Sequence, residues 1–263
     1  MEPKFVIVRV EQHVGKASLN RPDVLNSCNK AMAFELQQAL SAFENDSEVR
    51  AVLLSGEGRA FCAGQDLAEA VPPAGSPSPS LGAVVRESYN PIVRTIRRMR
   101  KPVVCCVRGA AAGAGASIAL ACDLVIASEK AFFIQAFCKV GLVPDSGGTF
   151  FLPRLVGLPR ATAQMMLGEK ISAARALEMG MIYKVCEESA LATEAANLAA
   201  QLAALPTTGL GLIKHALNCS FVNTLDTQLD LEASLQEIAG KTSDYQEGIR
   251  AFIEKRQPQF TGR

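Results

Sequence analysis

Of the acidic residues, Asp145 has the sequence neighbours that best suit a role in proton transfer. It stands in the string Val-Pro-Asp-Ser-Gly-Gly, with Val143 and Pro144 before it and Gly147 shortly after it. Apolar neighbours remove water from a carboxylate, which raises its pKa towards the range where it can accept and return a proton near neutral pH. The alternative is structural, because the same side chain could form an Asx turn or cap a helix before Gly147.

Two short loops of small residues could supply backbone N–H groups. The first is rich in Gly and Ala and covers residues 109–115, and the second, Phe-Cys-Ala-Gly-Gln-Asp, covers residues 61–66. Small residues let a ligand approach the backbone closely, and N–H groups at a helix N-terminus favour negative charge. Each loop taken alone is more often an ordinary turn. If both end at one sheet edge, their donors would converge and form an oxyanion hole.

Two other interpretations of these motifs fail. The glycine-rich stretch does not match the dinucleotide-binding fingerprint, because Ile118 replaces its third small residue and no acid ends a second strand about 20 residues later. The Asp-Ser-Gly-Gly string occurs in trypsin-like serine proteases, but those are all-β, whereas this chain alternates strands with helices. We therefore interpret Ser146 as a turn residue, and His13 and His215 as surface or boundary residues.

The hydrophobic pattern predicts an alternation of strands and helices that would carry these loops. A tight turn near His13 and Gly15 should join the first two strands into a hairpin, and Asn26 or Ser27 should cap the helix that follows. Strands are predicted at residues 5–10, 16–19, 51–55, 102–107, 123–128 and 182–186.

The remaining segments are predicted to be mostly helical. Residues 81–100 have a helical pattern that Pro91 should kink or split. Residues 71–82 are rich in Pro, Gly and Ser and indicate a mobile surface loop. The Gly/Ala stretch should run into a short buried helix, and from about residue 160 the pattern is helical apart from the last strand.

Composition excludes several classes of protein. The chain has 263 residues, 49% hydrophobic and 20% charged, which predicts a globular protein with either one large α/β domain or a core and a small appendage. The formal net charge of only +1 disfavours nucleic-acid binding. No apolar run reaches the roughly 18 residues of a membrane helix, so we expect no membrane partner and a cytoplasmic location. The eight cysteines contain no Cys-x-x-Cys pair and are expected to be reduced core residues rather than metal ligands.

Four motifs, in order along the whole chain, carry a family resemblance. They are LNRP at residues 19–22, FCAGQDL at 61–67, KPVVCCVRGAAAGAGASIALACD at 101–123 and GLVPDSGGTFFLPRLVG at 141–157. Together they resemble the crotonase, or enoyl-CoA hydratase/isomerase, superfamily. The tail, with TLDTQLDLE at 224–232 and QPQFTGR at 257–263, resembles its phenylacetate-pathway branch. The resemblance implies an α/β crotonase (ClpP-like) spiral of ββα units over residues 1–200. A C-terminal helical region at 201–263 would assemble a homotrimer or a dimer of trimers.

The resemblance also implies a site. The backbone N–H groups of Ala63 and Ala114 would form the oxyanion hole, and Asp145 would be the catalytic acid and base. Substrate and CoA contacts would come from Gly64, Gln65, Asp66, Leu67 and Gly115. No metal and no separate cofactor would be needed, since CoA is part of the substrate.

The catalytic pattern points to isomerisation. Hydratases of this superfamily carry two glutamates, and Ser117 and Phe137 occupy the aligned positions. One carboxylate is enough to move a proton between two carbons of an acyl-CoA thioester through an oxyanion-stabilised enolate. The resembled branch isomerises ring-1,2-epoxyphenylacetyl-CoA to oxepin-CoA and shifts β,γ-enoyl-CoA double bonds to α,β. An enoyl-CoA hydratase and a non-catalytic acyl-CoA-binding scaffold remain the alternatives.

Overall fold

A computed structural model describes residues 4–69 and 80–263 of the chain. The strands are β1 (Val6–Glu11), β2 (Val14–Leu19), β3 (Ala51–Gly56), β4 (Val103–Val107), β5 (Ala110–Ala112), β6 (Leu124–Ser128), β7 (Phe132–Ile134), β8 (Ile171–Ser172) and β9 (Lys184–Cys186). The β1–β2 hairpin turns at Gln12 and His13, whose φ angles of 50° and 63° suit a two-residue turn of type I′. Gly15 lies in β2, where Val10 pairs with it, and therefore not in the turn.

Six strands form the main sheet in the order β1-β2-β3-β4-β6-β9. Only the β1–β2 pair in this sheet is antiparallel, and the others are parallel. Three short strands form a second sheet in the order β5-β7-β8. Residues 110–112, predicted as part of a loop, are the strand β5 because they pair with β7. A main-sheet strand, a short strand and a helix thus follow one another, as in the predicted spiral of ββα units.

The helices are α1 (Lys30–Asn45), α2 (Leu81–Val84), α3 (Asn90–Arg98), α4 (Ala114–Ala121), α5 (Gly148–Val156), α6 (Leu158–Leu167), α7 (Ala173–Glu178), α8 (Leu191–Ala203), α9 (Thr207–Ser220), α10 (Leu225–Ala239) and α11 (Ser243–Glu254). The predicted cap of α1 is wrong by a few residues, because Asn29 accepts the Met32 N–H at 2.8 Å. Asn26 is instead fully buried and donates to the Glu57 and Ala60 carbonyls.

The segment around Pro91 is split as predicted. A π turn, Val85–Tyr89, separates α2 from α3, and Pro91 stands in the first turn of α3. Of the predicted mobile loop at 71–82, residues 71–79 lie outside the described part of the chain. Residues 81 and 82 begin α2 rather than ending that loop.

Both faces of the main sheet are covered. Helix α1 packs its buried face, including Met32, Leu36 and Leu40, on one side. On the other side α8 packs Leu191 and a row of alanines against the sheet. This helix runs across residue 200, and the division into a core and a C-terminal helical region stays a prediction. All eight cysteines have free thiols, five of them buried.

Within the described residues, no single helix has the length and apolar character to cross a bilayer. Helices α8 and α9 reach the required length and hydropathy only as a pair, and that pair is bent by 101°. The same residues hold no group of three or more His, Cys, Asp and Glu side chains that could bind a metal ion.

Candidate active site

Asp145 lies in a tight turn that leads into α5. Ser146 and Gly147 both have positive φ, 52° and 79°, and α5 begins at Gly148. Burial raises the pKa of Asp145, while a hydrogen bond from Ser146 Oγ to Asp145 Oδ1, 2.8 Å long, opposes it more weakly. Asp145 is therefore partly buried, as predicted, and its role in proton transfer stays a prediction. The helix-cap alternative is wrong, because no side chain caps α5 and the turn closes through the Asp145 carbonyl, which accepts the Gly148 N–H at 2.8 Å.

The N-terminus of α4 presents free backbone donors, as the sequence predicted. Ala114 is its first residue and Gly115 its second. The opening N–H groups of a helix have no partner within the helix. Neither Ala114 N–H nor Gly115 N–H meets an acceptor in the part of the chain that the structure describes. Both residues are buried, so these donors are held in fixed positions beside the second loop.

The two loops meet at one edge of the second sheet. Cys62 N–H donates to the Ala110 carbonyl at 3.1 Å, and Ala112 N–H donates to the Cys62 carbonyl at 2.9 Å. A Cβ built on Gly64 would lie 2.9 Å from the Ala112 carbonyl oxygen and 3.7 Å from Ala114 N. Residues 61–66 are therefore packed directly against the start of α4, as an oxyanion hole requires.

The prediction that Ala63 supplies the second donor is wrong in this structure. Ala63 N–H already donates to the Leu25 carbonyl oxygen at 3.0 Å. An N–H engaged in a backbone hydrogen bond would have to break it before it could bind a substrate oxygen. The donor must therefore come from another residue of the loop, and the neighbouring hydrogen bonds identify Gln65.

Gln65 forms a parallel bridge with Cys28. In such a bridge the hydrogen bonds run to the flanking residues: Cys28 N–H donates to the Gly64 carbonyl at 2.7 Å, and Asp66 N–H donates to the Cys28 carbonyl at 3.0 Å. Gln65 N–H consequently points away from Cys28. It meets no acceptor among residues 4–69 and 80–263. Gln65 and Ala114 are the candidate oxyanion donors.

Gly64 is the residue in the sequence that distinguishes Gln65 from Ala63 as the donor. In an extended segment successive N–H groups point to opposite sides, so residues two apart, such as Ala63 and Gln65, would be expected to point their N–H groups the same way. Gly64 breaks this alternation, because its φ of 96° lies in a region that side chains disfavour. The glycine between Ala63 and Gln65 therefore marks the point at which the direction of the donors changes.

The other predicted CoA contacts have different surroundings. The Asp66 carboxylate accepts a hydrogen bond from Arg21 Nη1 at 2.7 Å, and this bond lowers the pKa of Asp66. Leu67 is 59% exposed and so remains open to contact. Gln65 lines a cavity of about 370 Å³ with Lys30 and Tyr89. The structure thus places an accessible cavity beside Gln65, while the Asp66 side chain holds the loop in place.

Ser117 and Phe137 both border the candidate site. Ser117 is fully buried one turn into α4, and its Oγ would lie 2.7 Å from a Cβ built on Gly148. Gln135 Nε2 approaches the same oxygen at 3.5 Å. The Phe137 ring lies beside Gly113, 3.7 Å from a Cβ built there. Ser117 therefore connects the helix that carries Ala114 with the turn that carries Asp145, and neither position offers a carboxylate.

The residues set aside as non-catalytic lie elsewhere or have other partners. His13 is in the exposed hairpin turn, where its Nδ1 lies 2.9 Å from the Glu48 carbonyl oxygen. His215 is on α9 and approaches Cys219 at 3.9 Å. Ser146 is buried and donates to Asp145. No histidine is therefore paired with Ser146, and its interpretation as a turn residue is confirmed.

Comparisons with known proteins agree with this geometry. The family model described as "Enoyl-CoA hydratase/isomerase" matches residues 9–263. The chain is 51% identical to 1,2-epoxyphenylacetyl-CoA isomerase of Escherichia coli (strain K12), over 99% of each chain. It is 38% identical to trans-2-decenoyl-[acyl-carrier-protein] isomerase of Streptococcus mutans, over the full length of both. A crystal structure of enoyl-CoA hydratase from Bacillus anthracis superposes with a TM-score of 0.90 at 33% identity, covering 99% of this chain and 100% of that one.

Proposed function

The chain belongs to the enoyl-CoA hydratase/isomerase family, and from that premise we propose that it is an isomerase of acyl-CoA thioesters that works through an oxyanion-stabilised enolate. The observation that carries this proposal is the desolvated carboxylate of Asp145, together with Ser117 and Phe137, two buried positions of the candidate site that offer no second acid. Addition of water needs one group to activate the water and another to handle the α-proton. Isomerisation needs only one group that removes and returns a proton.

The proposed reaction balances without a co-reactant. The N–H groups of Gln65 and Ala114 would bind the thioester carbonyl oxygen and stabilise the negative charge that develops on it. Asp145 would take the α-proton, leaving an enolate conjugated with the β,γ double bond. The same carboxylic acid would then return the proton to the γ-carbon, so that the double bond moves to the α,β position. The burial that raises the pKa of Asp145 suits the first step, because the carboxylate of a weaker acid is a stronger base, and it brings the pKa closer to the pH at which both proton transfers take place.

We further propose 2-(1,2-epoxy-1,2-dihydrophenyl)acetyl-CoA as the substrate and oxepin-CoA as the product, within phenylacetate catabolism. The similarity to the Escherichia coli isomerase over 99% of both chains supports this choice. The conversion is itself an isomerisation, since the ring expands without gain or loss of atoms. The thioester carbonyl that the two N–H groups would bind is present in this substrate as well. The β,γ-enoyl-CoA reaction would be a second activity of the same site.

The remaining parts of the proposal follow from the family resemblance. The protein would act as a homotrimer or a dimer of trimers, without a separate cofactor, in the cytoplasm. It would have neither a nucleic-acid nor a membrane partner. These statements stay predictions until the assembly, the purified enzyme and its location are measured.

The deciding experiment is a pair of assays on the purified protein. A β,γ-enoyl-CoA should be converted to the α,β isomer, while crotonyl-CoA should be hydrated poorly, and mass spectrometry separates the two because hydration adds one water. The epoxide substrate should give oxepin-CoA of unchanged mass. Asp145→Asn should fold normally and lose about 10²-fold or more in kcat, the scale of a lost acid/base group. Glu48→Gln, which also turns an exposed carboxylate into an amide, is the matched control.

Two alternatives give opposite results in these assays. An enoyl-CoA hydratase would hydrate crotonyl-CoA at a rate comparable to its isomerase rate. A non-catalytic acyl-CoA-binding scaffold would bind the thioesters and convert none of them. Either outcome would overturn the isomerase proposal.

A further inference from the structure

A buried tyrosine lies next to the loop that carries Gln65. Tyr89 is 1% exposed and is the last residue of the π turn between α2 and α3. Its hydroxyl donates to the Cys28 carbonyl oxygen at 3.3 Å. This carbonyl also accepts the Asp66 N–H, the bond that turns Gln65 N–H away from Cys28. Tyr89 is therefore one hydrogen bond away from the segment that orients the candidate oxyanion donor.

The π turn that holds Tyr89 has a local cause. Pro91 lacks the N–H that would bond to the Glu87 carbonyl in a regular α-helix. Gln37 of α1 takes over this role, and its Nε2 donates to the carbonyls of both Glu87 and Ser88 at 2.8 Å. A π turn is uncommon and often marks a functional site. The wider turn, fixed from α1, directs the Tyr89 ring into the core.

The surroundings of Tyr89 keep its hydroxyl protonated. Burial is the main cause that raises its pKa, and the negative charge of the Asp145 carboxylate adds to it. The hydroxyl can therefore donate a hydrogen bond at any pH at which the enzyme works.

We propose that Tyr89 is a positioning residue for the oxyanion hole: its hydroxyl fixes the Cys28 carbonyl and, through the Cys28–Gln65 bridge, the direction of Gln65 N–H. This inference rests on the proposed isomerase function. The Tyr89 hydroxyl is engaged with the Cys28 carbonyl, so it acts on the donor that meets the enolate rather than on the thioester itself. Its loss should therefore affect the reaction step more than substrate binding.

Tyr89→Phe tests the inference because it removes the hydroxyl alone. The Cys28 carbonyl keeps its bond from Asp66 N–H, so the fold should be retained, and thermal unfolding checks this. We expect kcat for a β,γ-enoyl-CoA to fall about three- to tenfold, the range of one neutral hydrogen bond, with KM nearly unchanged. Tyr183→Phe is the matched control, since that side chain is 56% exposed.

A spectroscopic readout separates positioning from general loss of structure. Acetoacetyl-CoA ionises to an enolate that absorbs in the ultraviolet, and a formed oxyanion hole should stabilise it. Tyr89→Phe should reduce the bound enolate signal while the affinity for CoA itself stays the same. Gln37→Leu, which releases the π turn, should cause the same loss, and the double variant should lose little more, because both changes act through one contact.

The outcomes distinguish this inference from the proposed function. A parent protein that neither isomerises a β,γ-enoyl-CoA nor ionises acetoacetyl-CoA would refute the isomerase function itself. An active parent whose Tyr89→Phe variant keeps the parent kcat and enolate signal would refute the positioning role alone. A variant with raised KM and lowered thermal stability but unchanged kcat would also refute it, because that pattern belongs to a purely structural residue.

Discussion

The Asp145 carboxylate is held between two opposing influences at the residue scale. Burial raises its pKa, whereas the hydrogen bond from Ser146 stabilises the ionised form and lowers it. The free base is the form that accepts a proton, so activity should fall as the pH drops through this pKa. Burial and the side chain at position 146 therefore together set the lower pH limit of the reaction.

Ser146→Ala should move that limit to higher pH. The substitution removes the bond that favours the carboxylate, so the pKa of Asp145 rises and more base is protonated at a given acidic pH. The measurement is the pH profile of kcat/KM. Its acidic limb should move to higher pH, while the kcat/KM of the plateau stays nearly the same. Ser234→Ala on α10 should leave the limb in place. A limb at the parent position, or one shifted to lower pH, would show that Asp145 is not the titrating base.

Ala114→Pro tests the other half of the site at the same scale. Proline is tolerated in the first turn of a helix, and Ala114 is the first residue of α4, so α4 should survive the change. The substitution removes the N–H, and kcat should fall about 10²-fold or more, as for other deleted oxyanion donors. Ala114→Gly keeps the N–H and should keep most of the activity. If the folded proline variant turned over substrate at the parent rate, Ala114 would not be a donor.

At the scale of secondary-structure elements, the sequence predicts those features that depend only on residues close together in the chain. Alternating apolar residues predict the β1–β2 hairpin, and the missing N–H of Pro91 predicts the break before α3. The strand β5 is different, because three alanines carry no strand pattern and become a strand only by pairing with β7. The second donor of the oxyanion hole could not be identified from the sequence for the same reason. The partner of Ala63 is Leu25, which is distant in the sequence and known only from the fold.

The helices α4 and α5 are in contact where the candidate site is formed. A Cβ built on Gly148 would lie 2.7 Å from Ser117 Oγ, and the next nearest atoms are at 3.4 Å and 3.6 Å. Gly148→Ala should therefore push the start of α5 away from α4 and displace the Asp145 turn. Activity should fall strongly, measured as kcat, with a lower unfolding temperature.

Removal of Ser117 Oγ should reverse the effect of Gly148→Ala. The double variant Gly148→Ala with Ser117→Ala leaves the new methyl group no contact closer than 3.4 Å, which is ordinary van der Waals distance. Its kcat and unfolding temperature should recover most of the loss, whereas Ser117→Ala alone should stay close to the parent. A double variant as impaired as Gly148→Ala would show that the two helices are not coupled through this contact.

At the scale of the whole molecule, the C-terminal helices leave much apolar surface exposed. Large apolar side chains on or beside α9, α10 and α11 face outward in the single chain; they include Ile213, Leu217, Phe221, Val222, Leu225, Leu229, Ile238, Ile249, Phe252 and Ile253. A monomer seldom keeps a large apolar patch in water. This surface supports the predicted trimer or dimer of trimers, in which C-terminal helices of neighbouring chains would cover it.

Substitutions at the most exposed of these positions should dissociate the assembly without unfolding the chain. Phe252 and Ile253 are 86% and 73% exposed, so Phe252→Glu with Ile253→Glu removes no core contact but places two charges on the proposed interface. Sedimentation should give the mass of three or six chains for the parent protein and of one chain for the double variant.

Phe34→Glu, on the exposed side of α1, should leave the assembly intact. Circular dichroism should confirm that the double variant keeps its helices. A parent protein that sediments as a single chain, or a double variant that still sediments as a trimer, would contradict the assignment of this surface to the assembly.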